Sequence, residues 1–147
     1  CSSDLILVVS GGHTRLYLVE REGEYRLLGR TRDDAAGEAY DKVSKLLNLG
    51  YPGGPIIDRL AREGNDVAIR WPGTRLTNPD RNAPERDGRF DFSFSGLKTA
   101  VLRHVRQRQQ ELGVEQLPHH EIVDLAASFQ RRVVETLVDK TFAAARW

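Results

Sequence analysis

The sequence predicts an α/β fold on three observations. An apolar run at residues 5–9 stops on Ser10-Gly11-Gly12, and a second β-rich run at 14–20 follows at once, as in a strand, a tight turn and a partner strand. From Ala36 onward the apolar residues switch to helical spacing. Beyond Pro118, one apolar stripe of Ile122, Leu125, Ala126, Phe129, Val133, Leu137 and Val138 marks a long amphipathic helix.

Taken in order, residues 5–9, 14–20 and 25–30 are expected to be three strands of a meander, with Gly23 in the second turn. Asp33-Asp34 offers capping oxygens to a helix at 36–48. Its Ala39, Val43, Leu46 and Leu47 share one face, and Gly50 ends it. Pro52-Gly53-Gly54-Pro55 is a turn whose last proline suits the first position of a helix at 55–63, stopped by Gly64. Residues 65–89 hold Pro72, Pro79 and Pro84 among alternating charges, and read as a loop-like excursion with one short strand at 67–71. Phe90, Phe92 and Phe94 alternate with Asp91 and Ser93, as on a strand with one apolar face. Ser95 is the expected cap of a helix through Leu97, Val101, His104 and Val105.

At 147 residues the chain is one domain's worth, long enough for a core. A net charge of +1 creates no bulk field that forces a nucleic-acid or membrane partner. No apolar run is long enough to span a bilayer. The single cysteine, Cys1, excludes an internal disulfide and fits a reducing, cytoplasmic compartment. The sequence lacks methionine and ends inside a helical pattern, so it is expected to be a segment of a longer protein.

Several residues carry two readings. Ser10-Gly11-Gly12 is either a plain hairpin turn or a cradle in which left-handed glycines, backbone N–H groups and the Ser10 hydroxyl receive a phosphate. Asp41 is either part of a solvated helix face, beside a Glu38–Lys42 pair, or a cleft carboxylate able to accept both hydroxyls of a ribose. Gly53-Gly54 is an interhelical turn or a place where a ligand packs on the backbone. Asp58, on the first turn of its helix, answers either the macrodipole or a ligand. His13, His104, His119 and His120 lack metal-ligand spacing. Ser93 and Ser95 are better explained as strand edge and cap than as nucleophiles. Lys98, Arg103, Arg106 and Arg108 form a basic helical stretch that is either a solvated face or a contact for nucleic-acid phosphates.

Four of these stretches stand in a telling order. They are Val-Val-Ser-Gly-Gly-His-Thr (8–14), Asp-Asp-Ala-Ala-Gly-Glu-Ala-Tyr-Asp-Lys (33–42), Tyr-Pro-Gly-Gly-Pro (51–55) and Phe-Ser-Phe-Ser-Gly-Leu-Lys-Thr (92–99). Together they resemble the TsaD family, the tRNA adenosine threonylcarbamoyltransferases once described as glycoprotease-like. The resemblance covers nearly the whole chain, loosely at 65–89.

The resemblance implies an actin-like, Hsp70-like ATPase fold of two RNase-H-like halves, of which this chain is a partial second half with a helical insertion. Residues 1–50 would begin that half, 51–117 form the insertion and 118–147 the long helix. The implied activity moves a threonylcarbamoyl group from threonylcarbamoyl-AMP to N6 of the adenosine 3′ of the tRNA anticodon. Val8, Val9, Ser10, Gly11 and Gly12 would hold the phosphate and carbamoyl end, and Asp41 the ribose hydroxyls. Gly54 would lie against the nucleoside with Asp58 beside it. No side chain here is implied as a nucleophile.

The resemblance also implies a divalent metal, iron or zinc, that polarises the carbamoyl group. The family's ligands, a His-x-x-x-His pair and a downstream Asp motif, are absent from this sequence, as is its Gly-Gly-Val-x-x-Asn motif. The segment alone is therefore expected to be inactive and metal-free. Expected partners are tRNA, met by Lys98, Arg103 and Arg106, a paralogous scaffold subunit and an ATPase subunit. One alternative is a non-catalytic dimerising scaffold paralogue, disfavoured because a scaffold needs neither Asp41 nor the two Gly-Gly turns. Another is a sugar or acetate kinase of the actin superfold, whose phosphate loops differ from Ser-Gly-Gly-His-Thr.

Overall fold

The computed structural model describes residues 3–73, 76 and 88–147. Cys1, Pro79 and Pro84 lie outside the described residues. Strands β1 (Asp4–Val9), β2 (Thr14–Arg21) and β3 (Glu24–Arg30) form an antiparallel meander in the order β1-β2-β3. Val9 stands opposite Thr14 across the Gly-Gly turn. Gly23 makes the second turn at φ +82°, a left-handed backbone that favours glycine.

Among the described residues four helices follow the sheet: α1 (Ala36–Leu46), α2 (Gly53–Ala61), α3 (Ser95–Leu112) and α4 (His119–Arg146). Helix α2 packs against both α1 and α4, and α3 lies against α1. The chain is thus α/β, with a core of Leu16, Val43, Ile57, Phe92, Phe94, Leu125 and Phe129, all buried. The α4 stripe is buried as its spacing predicts, except Val138. That residue lies about 140° around the helix from Val133, and it is 41% exposed.

Helix starts differ from expectation because their caps come from afar. Neither Asp33 nor Asp34 caps α1. The buried Thr14 hydroxyl accepts the Ala36 N–H at 2.9 Å instead. Asp33 caps α3: its Oδ1 accepts the N–H groups of Phe94 at 2.8 Å and Ser95 at 3.2 Å. Its Oδ2 accepts the hydroxyls of Ser95, at 2.9 Å, and Ser93. Ser95 is therefore the first helical residue and not the cap. Helix α2 starts at Gly53, two residues before Pro55. Pro55 falls in the first turn, where the missing N–H has no intrahelical partner to lose.

Two expected strands do not form. In residues 67–71, Asn65 Oδ1 accepts the Val67 N–H at 3.0 Å and Ser128 Oγ accepts the Ile69 N–H at 3.2 Å, so side chains take the bonds a strand would need. In residues 90–94, a 3₁₀ turn (Gly88–Phe90) leads to a single parallel bridge between Phe92 and Thr31. The three phenylalanines do bury one face. Asp91 is buried too, accepting the Arg30 N–H at 3.1 Å and Arg32 Nε at 3.0 Å, and this interrupts the alternation. Among the described residues no helix is long and apolar enough to cross a membrane.

Candidate functional site

Three elements meet beside the first turn. The Ser10 carbonyl accepts the N–H of Gly37, on α1, at 3.1 Å. A Cβ on Gly37 would stand 2.7 Å from both Gly11 Cα and Ser10 O, so glycine is required for this approach. On α2, a Cβ at Gly53 would stand 2.4 Å from the Tyr40 carbonyl. Gly37 and Gly53 are thus explained by internal packing.

Gly11, Gly12 and Gly54 are not. None lies in the left-handed region, and a Cβ on any of them meets nothing within 4 Å. The expectation that Gly11 and Gly12 are needed for positive φ is therefore corrected: the turn itself does not demand them. Gly54, inside a helix, forgoes roughly 1 kcal/mol relative to alanine with no internal contact to explain it. Two of the three, Gly11 and Gly54, line one open groove of about 410 Å³, together with Val9, Ser10, Gly37 and Tyr40 on one side and Val133, Val134 and Leu137 of α4 on the other.

The turn is closed by its own serine. Ser10 Oγ accepts the N–H groups of Gly12 at 3.3 Å and His13 at 3.0 Å, and the Ser10 N–H donates to the His13 carbonyl at 2.8 Å. Two donors expected to face a phosphate are thus engaged internally. The Gly11 N–H has no acceptor among the described residues. Val8 and Val9 end β1 with side chains 38% and 47% exposed.

Asp41 is half-buried and does not line the groove. Its Oδ1 accepts the Gly53 N–H at 2.8 Å, while Oδ2 has no partner among the described residues. Because α2 begins at Gly53, Asp58 falls in its second turn and not its first, so the macrodipole explains it less well. Asp58 Oδ2 holds Arg62 at 3.0 Å and Oδ1 accepts from Gln130 Nε2 at 3.1 Å. Gln130 Oε1 in turn accepts the Tyr40 hydroxyl at 2.9 Å. Burial, and then the Asp58 carboxylate, push the Tyr40 phenol well up, so it keeps its proton. Asp58, like Asp41, stands outside the groove lining.

Gly37, Tyr40 and Gln130 were not singled out from the sequence. A glycine in the first turn of a helix is the legible signal for Gly37. Nothing local marks Gln130.

The basic stretch divides. Lys98 Nζ is bound to Asp34 Oδ2 at 2.9 Å, and Lys42 Nζ to Asp34 Oδ1 at 2.6 Å. Burial by itself would raise the Asp34 pKa, but these two ammoniums overcome it and hold the carboxyl at about 2. Arg108 is taken by Glu111 and Glu121, each at 2.6 Å. Arg103 and Arg106 are exposed and have no ion-pair partner among the described residues. Among the described residues, no three His, Cys, Asp or Glu side chains sit together to hold a divalent metal, so these residues do not fit that group.

Residues 2–147 match the family model for TsaD, tRNA N6-adenosine threonylcarbamoyltransferase. The chain is similar to the tRNA N6-adenosine threonylcarbamoyltransferase of Koribacter versatilis, 48% identical over 96% of this chain and 44% of that protein. It is 54% identical to that of Syntrophotalea carbinolica, over 97% of this chain and 37% of the relative. With that of Gloeobacter violaceus it is 56% identical, over 92% of this chain and 35% of the relative. The chain thus spans 35% to 44% of the length of these relatives.

Proposed function

The chain belongs to the TsaD family, the tRNA N6-adenosine threonylcarbamoyltransferases, and on that premise we propose that it supplies the phosphate and ribose side of an adenylate site. The protein would transfer a threonylcarbamoyl group from its adenylate to N6 of the adenosine 3′ of a tRNA anticodon. The fold around it is proposed as actin-like, with β1–β3 opening its second half. A scaffold subunit and an ATPase subunit belong to the same proposal.

One observation carries the reading. Gly11 and Gly54 lack side chains for no reason inside the protein, and both line the same groove. Glycines of that kind leave backbone bare for a ligand. The unmatched Gly11 N–H suits an anionic phosphate oxygen. The second oxygen of Asp41 suits a ribose hydroxyl, because a carboxylate accepts on both oxygens.

In the proposed reaction the adenosine amine attacks the carbamoyl carbon. The bond from that carbon to the phosphate oxygen breaks, AMP leaves with the electron pair, and the amine proton passes to solvent. These residues bind and orient, and none forms a covalent bond. The bare Gly11 N–H at the turn would stabilise charge developing on the leaving phosphate.

Calorimetric titration of AMP into a family-length protein carrying this segment tests the reading. Saturable binding is expected, with loss in Gly11→Val while the circular dichroism spectrum stays folded. AMP affinity unchanged in that variant would overturn the reading.

A further inference from the structure

Gln130, on α4, bonds to both α1 and α2, through Tyr40 at 2.9 Å and Asp58 at 3.1 Å. Chemistry fixes the direction of this link. The Tyr40 phenol, half-buried and beside a carboxylate, keeps its proton and donates. The Asp58 carboxylate accepts, with its other oxygen on Arg62. A primary amide has one accepting side and one donating side, so a single orientation of Gln130 satisfies both neighbours. The flipped amide would set oxygen against carboxylate and N–H against O–H.

The link closes around the groove. Tyr40 lines it, and its ring packs edge-on against Phe129 at 5.1 Å, the residue before Gln130. Gly54 lines the same groove on α2, the helix that carries Asp58. We propose that Gln130 is a positioning residue for the adenylate: it locks Tyr40 to Asp58 and thereby sets the spacing between the α1 and α2 walls of the groove. This inference rests on the adenylate reading. No side chain of Gln130 is required to touch the ligand.

The test titrates AMP into a family-length protein carrying this segment, as wild type, Tyr40→Phe, Gln130→Met and the double variant. Each single substitution removes one or both bonds of the link and should weaken AMP by roughly fivefold. The double variant should be no weaker than Gln130→Met alone by more than about twofold, because both changes break one unit. In steady-state assays the KM for the threonylcarbamoyl adenylate should rise while kcat stays within about twofold, since the link shapes binding and not the chemical step. A purely structural residue would lower kcat with the active fraction and leave KM alone. Wild type that binds AMP with variants that match it would overturn the link and leave the adenylate reading standing. Wild type that fails to bind AMP would overturn both.

Discussion

The Asp41 carboxylate accepts the N–H of Gly53 at 2.8 Å, so a side chain of α1 caps the first residue of α2. This single bond couples the helix that borders the Gly-Gly turn to the helix that carries Gly54. On the proposed adenylate reading, Asp41 would have two duties, one on each oxygen. Asp41→Ala removes the cap and should cost about 1 kcal/mol of stability. Asp41→Asn keeps an acceptor for Gly53 and should retain most of that stability. Its loss of charge should weaken AMP by about tenfold or more, the worth of a charge-assisted bond to the ribose. 2′,3′-Dideoxy-AMP should bind wild type and Asp41→Asn alike. Equal losses for both nucleotides would remove Asp41 from the ribose.

Gly54 separates stability from binding in the opposite sense. It sits in a helix with open space where a Cβ would stand. Gly54→Ala should stabilise the fold by roughly 0.5–1 kcal/mol through helix propensity. Gly54→Leu, also a good helix former, should fill the groove and abolish AMP binding. Thermal melts and calorimetry on the same samples check the pair. A leucine variant that binds AMP normally would mean that the groove is not the nucleotide site.

The glycines that meet the turn respond differently from one another. Gly12→Val places its Cβ in open space and should leave the fold intact while blocking a ligand at the turn. Gly37→Ala drives a Cβ to 2.7 Å from the Gly11 and Ser10 backbone. Such overpacking costs about 1–3 kcal/mol, and it should appear as a lowered melting temperature before any ligand is added.

Legibility from sequence followed the range of each interaction. The meander and the α4 stripe rest on periods of two and of 3.6 residues, which are local, and they came through. The caps did not. Thr14 serves Ala36 across 22 residues and Asp33 serves Phe94 across 61, so nothing next to either helix shows its cap. The site divides in the same way. Gly11 and Gly54 are punctuation in the sequence and were legible as candidates. Tyr40 and Gln130 are bonded across 90 residues, and their separate positions read as ordinary helix.

Asp34, in the loop before α1, is tied to α1 through Lys42 and to α3 through Lys98. Its folded pKa, about 2, lies below the ordinary 3.8. A depressed carboxylate stabilises the fold above its unfolded pKa, and that contribution is lost as pH falls through the folded one. Stability should therefore drop between about pH 4 and pH 2, by an amount on the order of 1–2 kcal/mol from this group. Asp34→Asn should lower the melting temperature at pH 7, where it leaves Lys98 without its carboxylate and Lys42 with Glu38 alone, and flatten the acid limb. An acid limb of unchanged steepness in that variant would assign the acid sensitivity to other carboxylates.

The same ion triad decides how the basic face of α3 should behave toward tRNA. Lys98 is committed to Asp34, whereas Arg103 and Arg106 project from α3 without ion-pair partners among the described residues. Lys98→Ala should thus act mainly on stability, by leaving Asp34 with one partner. Arg103→Ala and Arg106→Ala should leave the melt unchanged, because exposed arginines contribute little to the fold. If they meet phosphates, each removal releases about one fewer counterion and lowers the slope of log affinity against log salt by about one unit. Filter binding of tRNA across a salt series measures that slope. A double arginine variant with the wild-type slope would return this face of α3 to solvent. A slope lowered by Lys98→Ala without any change in the melt would instead mean that the lysine leaves Asp34 when tRNA binds.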